Sequence, residues 1–203
     1  MSNVNRAYHR AMPARGSYAK GVAKRDEVLS AALTVFSEKG YLKTSIRDLA
    51  EAANLSQSGL LHYFGSKEEL LVEILRRRDQ QRAAAGTETI EHFLNVMHEN
   101  VAVPGLAQLS ATLSAAASDE THPAHDFFIA RYRALRAQFT EALRQHQANG
   151  GLDPALDVEK LAALLIAAAD GLQTQWLIED TVDMPGCMDY LWDIYQQATP
   201  PHS

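Results

Sequence analysis

Residues 44–67 read TSIRDLAEAANLSQSGLLHYFGSK. Thr44 or Ser45 can cap a short helix whose apolar positions Ile46, Leu49, Ala50 and Ala53 recur at helical spacing. Asn54-Leu55 supplies a turn, Ser56 a second cap, and Leu60 with Phe64 the inward side of a further helix that ends at Gly65. Ala50, Ala52 and Ala53 are small enough to let the helices approach closely, and Gln57, Ser58 and His62 are left pointing outward. This is the pattern of a helix-turn-helix, whose second helix fits the major groove of duplex DNA.

Upstream, Val28, Ala32, Val35 and Phe36 recur at i, i+4, i+7 and i+8, which predicts an amphipathic helix from Lys24 with Gly40 as its stop. Downstream, Ser66-Lys67-Glu68-Glu69 reads as a capping box that opens a fourth helix with Leu70, Leu71, Ile74 and Leu75 inside. Arg76, Arg77 and Arg78 are expected on its solvated face, and Gly86 closes the segment. Five more helices follow, on the stripes Ile90-Phe93-Leu94-Met97, Leu106 to Ala117, Phe128-Tyr132-Leu135-Phe139-Leu143, Leu161-Leu165-Ala168-Leu172-Trp176 and Leu191-Trp192-Tyr195. No strand-like alternation of useful length occurs. The fold class is therefore all-α with about nine helices. Residues 1–23 are expected as a flexible basic arm, 24–70 as a helix-turn-helix domain, a helix from 66 to about 85 as the link, and 86–203 as a second helical domain.

A chain of 203 residues with 46% hydrophobic and 22% charged residues can bury a substantial core. No apolar run approaches the ~18 residues needed to span a bilayer, and no secretory h-region opens the chain, so a cytoplasmic protein with no membrane partner is expected. The lone Cys187 excludes a disulfide or a thiolate metal cluster within one chain, and reads as a small, at least half-buried hydrophobe. The net charge of -6 hides an asymmetry: residues 1–82 hold 14 Lys and Arg against 9 Asp and Glu, whereas residues 83–203 hold 5 against 16. Because fields are screened over about 8 Å at physiological salt, the basic N-terminal part is the candidate for contact with a polyanion.

From Lys24 to about Leu71 the chain resembles the TetR family of bacterial transcriptional regulators, through AALTVFSEKGYLKTS, IRDLAEAANLS and above all HYFGSKEELL. Further on, Ala169-Asp170-Gly171-Leu172 with Trp176-Leu177 is similar to the penultimate helix of that family. The resemblance implies that Thr44, Ser45, Ser56, Tyr63 and Lys67 meet backbone phosphates while Gln57, Ser58, Gly59 and His62 face base edges. Hydroxyls and amides at helix N-termini suit an anion, and Gln57 can bond adenine in a bidentate manner. Two positions depart from the common pattern: Leu61 stands where many members carry tyrosine, and Ser58 precedes Gly59 where many carry glycine first.

The resemblance further implies a ligand-responsive regulator, in the usual case a repressor, which binds a palindromic operator in double-stranded DNA as a homodimer and is released by a small-molecule effector. Phe93, Met97, Phe127, Phe128, Tyr132 and Trp176 are candidates for a largely apolar effector pocket, with His98, Arg131 and Gln173 as polar anchors. Leu161, Leu165, Ala168, Leu172, Leu191, Trp192 and Tyr195 are the candidate dimer face. The acidic charge of the second domain reads as solvated surface. No cofactor is expected. His122 and His125 are three apart but lack an identified third ligand, so no metal site is expected either. The alternatives are a helical interaction module with a degenerate helix-turn-helix, or an all-α enzyme; no P-loop, GxSxG elbow or HExxH motif supports the latter, and a non-enzyme is expected.

Overall fold

The computed structural model describes residues 15–85 and 89–197. Among them are nine helices and no strand: α1 (Arg15–Lys39), α2 (Ile46–Ala52), α3 (Gln57–Phe64), α4 (Lys67–Ala85), α5 (Ile90–Ala102), α6 (Pro104–Ala116), α7 (His125–Ala148), α8 (Val158–Ile178) and α9 (Met184–Gln197). The all-α expectation is met. α1, however, begins at Arg15 and takes in the second part of the segment expected as an arm. Once Val28, Ala32 and Phe36 anchor the helix, each residue added upstream fixes only itself and gains a hydrogen bond, so Gly16 and Gly21 are carried along. The rest of the expected arm, and Gly86, lie outside the described residues.

Two apolar clusters hold the fold. The first joins Val28, Leu29, Ala32, Val35 and Phe36 of α1 to Leu49 and Ala50 of α2, Leu60 and Phe64 of α3, and Leu70 to Leu75 of α4. It continues without a break into Leu106, Leu109 and Leu113 of α6 and Phe127 and Phe128 of α7. The second joins Val96 and Met97 of α5, Phe139 and Leu143 of α7, five or more positions of α8, and Met188 and Trp192 of α9. The packing therefore divides the molecule differently from the chain order, because the reading head shares its core with α6 and the start of α7.

That shared core is closed at one point by backbone against backbone. Gly105, in the first turn of α6, lies so near the end of α1 that a β-carbon there would sit 2.5 Å from Gly40 Cα and 3.1 Å from Tyr41 N, and nearer still to the Phe36 carbonyl oxygen. Only glycine fits such an approach.

By length and apolar composition, α8 alone among the described helices could cross a bilayer. Its apolar content has two destinations: Leu161, Ala162, Leu165, Ile166 and Ala169 enter the second cluster, while Leu164 and Ile178 stay 58% and 82% exposed. Asp170 and Gln173 interrupt it midway. Cys187 is also corrected, being exposed on α9.

Candidate nucleic-acid interface

The reading head is built by local capping. Ser45 caps α2: its hydroxyl accepts the Asp48 N–H (3.2 Å) and the Asp48 carboxylate accepts the Ser45 N–H (2.8 Å), a reciprocal capping box. Lys39 reaches the same carboxylate at 2.7 Å. That ammonium, followed by the Ser45 hydroxyl and amide, holds the Asp48 carboxyl well below the usual carboxylate range.

The turn follows from Asn54, the single non-glycine residue with positive φ (55°) among the described residues. With Asn54 left-handed, the Leu55 N–H reaches the Ala50 carbonyl (2.8 Å) and the Asn54 N–H that of Glu51 (3.0 Å), the paired bonds of a Schellman motif. Ser56 then caps α3 by accepting the Gly59 N–H at 3.0 Å. Gly65 (φ 79°) ends α3 in a conformation that side chains rarely adopt. Ser66 accepts the Glu69 N–H at 3.0 Å as α4 begins.

Two cations of α1 secure the other ends of these helices. Lys24 Nζ donates to the Ala53 carbonyl beyond α2 (2.9 Å), and Arg25 Nη1 donates to the Tyr63 carbonyl in the last turn of α3 (2.9 Å). Positive charge at a helix C-terminus also opposes its dipole favourably. The Arg25 guanidinium stacks over the Phe64 ring at 4.7 Å and pairs with Glu73 at 3.5 Å. Sequence reasoning missed these clamps, since their partners lie 29 and 38 residues away with no local spacing to betray them.

The outer face of α3 carries Gln57, Ser58 and His62, all exposed, with Gly59 and Leu61 half-buried beside them. Ser58 shares a hydrogen bond with the capping Ser56 (3.1 Å between hydroxyl oxygens). Tyr63 is half-buried against the first cluster and touches the His62 ring edge-on, at 6.1 Å between centroids. A cleft of about 160 Å³ between α2 and α4 brings Thr44 and Lys67 together, above Phe36, Ile46, Leu49 and Leu71. Lys67 is exposed and joins no ion pair among the described residues; the same holds for Lys43, which sequence reasoning did not single out although it adjoins Thr44. By contrast, the Thr44 hydroxyl donates to the Gly40 carbonyl (2.7 Å), and the Ser45 hydroxyl and amide serve Asp48. Among the predicted contact residues, these two have their donors committed within the protein, whereas Gln57, His62 and Lys67 do not.

This geometry coincides with recorded sequence likeness. Residues 28–74 match the profile of the bacterial regulatory proteins of the tetR family, and residues 106–186 match that of the C-terminal part of BetI-type transcriptional repressors. The transcriptional repressor KstR2 of Mycolicibacterium smegmatis is 30% identical over 152 residues, covering 68% of this chain and 71% of that protein. The chain belongs to the TetR family. The regulator RutR of Escherichia coli K12 is 46% identical over 55 residues, 27% of this chain and 26% of RutR. In fold, a TetR regulator from Haloarcula marismortui matches with a TM-score of 0.68 at 19% identity, over 88% of this chain and 98% of that one. A TetR-family regulator from Rhodococcus sp. matches at 0.66 and 22% identity, over 86% and 99%. As a TetR-family member, the chain is a DNA-binding transcriptional regulator.

Behind this TetR head, the residues predicted to hold an effector do not converge. Phe127 and Phe128 are buried in the first cluster, Met97 is buried and Phe93 half-buried in the second, and Tyr132 touches both. The Tyr132 hydroxyl meets Ser114 (2.9 Å) and donates to Asp170 (2.7 Å). Trp176 is half-buried, and His98 lies at the surface against Asp189 of α9 (3.0 Å). Arg131 and Gln173 instead join a buried polar group of α4 to α8. That group includes Arg78, which corrects the expectation of three solvated arginines: Arg76 is exposed, Arg77 half-buried, and Arg78 only 7% exposed. The Arg78 side chain turns to Asn100 of α5 rather than to water.

The predicted dimer residues are placed differently too. Leu161, Leu165 and Trp192 are buried within the protomer at 0–4% exposure, and Ala168, Leu172, Leu191 and Tyr195 pack against them. The stripe left free lies beside them: Leu164, Ala167, Gly171 and Ile178 on α8, with Tyr190 (69% exposed) and Ile194 on α9. Both faces of α8 are apolar, and spacing alone does not say which faces inward. His122 and His125 use their Nδ1 atoms on the backbone, toward the Ala124 N–H (3.1 Å) and the Ala117 carbonyl (2.8 Å), and thereby shape the loop before α7.

Proposed function

We propose that this TetR-family regulator is a repressor that acts in the cytoplasm, binds a palindromic operator as a homodimer, and leaves it when a small-molecule effector occupies the helical body. The observation that carries the proposal is the α3 face: Gln57 and His62 stand exposed on a helix fixed by Ser56 at one end and Arg25 at the other. Lys67, Lys43 and the Tyr63 hydroxyl flank that face as phosphate donors, and the first-turn amides of α2 and α4 add helix N-termini. A single eight-residue helix reads few bases. Two related by a dyad, about 34 Å apart, read successive major grooves.

The free apolar stripe of α8 and α9 supports the homodimer, since Leu164, Ile178, Tyr190 and Ile194 form a continuous surface that a second copy would cover. The match of residues 106–186 to BetI-type repressors supports repression as the sign of control.

Selection of bound duplexes from a random pool tests the proposal directly. The expected product is a palindrome bound with nanomolar-range, steeply salt-dependent affinity by a species of twice the chain mass. Equal affinity for selected and random DNA at moderate salt would refute it.

A further inference from the structure

The body is acidic overall, yet its interior holds an excess of positive charge. Arg78 and Arg82 of α4 turn toward α5 and α8. Their Nη2 atoms donate to one and the same acceptor, Asn100 Oδ1, at 2.6 and 2.7 Å. Asn100 is held in turn through Nδ2 to Gln173 Oε1, and Gln173 Nε2 reaches the Ala107 carbonyl, both at 3.4 Å.

The nearby carboxylates Asp79 and Glu99 act on these arginines through their field and not, among the described residues, through an ion pair. Asp79 is taken by Arg131, with Nε to Oδ2 at 2.8 Å and Nη2 to Oδ1 at 3.3 Å, while Arg131 Nη1 also donates to Ser110 Oγ at 3.2 Å. Glu99, next to Asn100, is exposed and forms no ion pair with either guanidinium among the described residues. Two cations therefore converge on one neutral amide oxygen, each with five N–H donors to satisfy. Burial first, then Arg82 and Arg131, pushes the Arg78 pKa down against the smaller upward pull of Asp79 and Glu99. Burial likewise lowers that of Arg82, again against Asp79 and Glu99. Buried guanidiniums ordinarily face a carboxylate, because an uncompensated charge away from water is costly.

We infer that Arg78 and Arg82, steadied by Asn100, form the anchor for the anionic group of the effector, an oxyanion of the carboxylate or phosphate type carried on an apolar body. This rests on the proposed effector response and assigns its chemistry. The guanidinium fork matches two oxygens of such a group, and charge-assisted bonds of this kind are the strong ones. The apolar part would enter beside buried aromatic rings: the Arg131 guanidinium lies over the Phe128 ring at 5.6 Å, and Phe127 packs against Phe128. The anchor also lies on α4 itself, which runs unbroken from Lys67 to Ala85.

The test uses straight-chain carboxylates and alkyl phosphates from butyl to dodecyl, with alcohols and alkylammonium ions of the same lengths, on the full chain. Thermal shift and calorimetry read binding, and displacement from the selected duplex reads release. At least one anionic series is expected to bind about ten- to a hundredfold more tightly than its alcohol, and to lose that margin in Arg78→Gln and in Arg82→Gln. Which series does so separates a carboxylate from a phosphate effector. Arg82→Gln, at the less buried position, serves alone if Arg78→Gln does not fold. Each variant is compared with its own melting temperature and DNA affinity before probe is added. Equal binding of anion and alcohol, an undiminished margin in the variants, or no anion bound at all overturns the inference. Release of DNA by an alcohol or ammonium ion would do so while leaving the ligand-responsive reading intact, whereas failure to prefer any duplex strikes that reading itself.

Discussion

Gly105→Ala isolates the contact on which the head and body depend. The added β-carbon would meet three backbone positions, the Phe36 carbonyl oxygen, Gly40 Cα and Tyr41 N, none of which can rotate away as a side chain can. Ordinary van der Waals separation requires α6 to withdraw from α1 by about 1 Å, and overpacking of this kind costs about 1–3 kcal/mol. Replacing glycine by alanine in a helix returns about 0.5–1 kcal/mol. The net expectation is a loss between about 0 and 2.5 kcal/mol, centred on about 1 kcal/mol, or about 2–4 °C in melting temperature for a chain of this size. Gly21→Ala provides the control, because it too lies within a helix and a β-carbon there meets nothing within 4 Å. It should gain about 0.5–1 kcal/mol. Thermal melts of both variants with and without the selected duplex give the answer. If Gly105→Ala melts at or above the parent, the α1–α6 contact has slack and the argument for a rigidly shared core is wrong.

Arg25→Met keeps much of the side-chain volume but removes the donor to the Tyr63 carbonyl, and a loss of about 1 kcal/mol is expected in a melt; no loss would mean that the clamp is idle. Ser56→Ala should cost about 1 kcal/mol and Ser56→Asp far less, since aspartate can also accept the Gly59 N–H; equal losses would point to a role other than capping. In binding titrations across salt, Lys67→Ala should lower the log–log slope by about 1 and leave base preference alone, whereas Gln57→Ala should relax preference at one base pair by about 1–3 kcal/mol. Leu164→Glu places a charge in the free stripe of α8 and should halve the mass seen by light scattering while weakening duplex binding; an unchanged mass would remove this stripe from the dimer.

The head was legible in the sequence because its determinants are local. Ser45, Ser56 and Gly65 act on groups within four residues, and Asn54 sets the turn through bonds to Ala50 and Glu51. The helices of the body were legible for the same reason. What escaped were the relations between helices. Nothing local marks Lys24 and Arg25, because the ends of α2 and α3 that they meet lie 29 and 38 residues away, and Arg78 looked solvated because its environment is set by Asn100, 22 residues away. In α8 the side that faces inward is decided by its packing against α7 and α9, which no periodicity encodes.

These long-range relations also constrain how a regulator of this build can switch. The first cluster runs from α1 through α4 into α6 and α7, so the head cannot swing about a loose linker as a separate body would. α4 belongs to both ends of the problem: its first residue, Lys67, flanks the reading face, and Arg78 lies eleven residues on, about 17 Å along the axis. An anion drawn between Arg78 and Arg82 would pull on α4 against Asn100 and Gln173, while Gly105 holds α6 against the end of α1 with no room to yield. A packed core responds to such a load by shifting between discrete arrangements, not by bending continuously. By linkage, the effector then weakens DNA binding only as much as DNA weakens effector binding. Measured with and without the selected duplex, the affinity of the best anionic probe should therefore fall by the same factor by which that probe lowers DNA affinity. A factor of one in both directions would mean that effector and DNA are not coupled, and α4 would lose its place as the link.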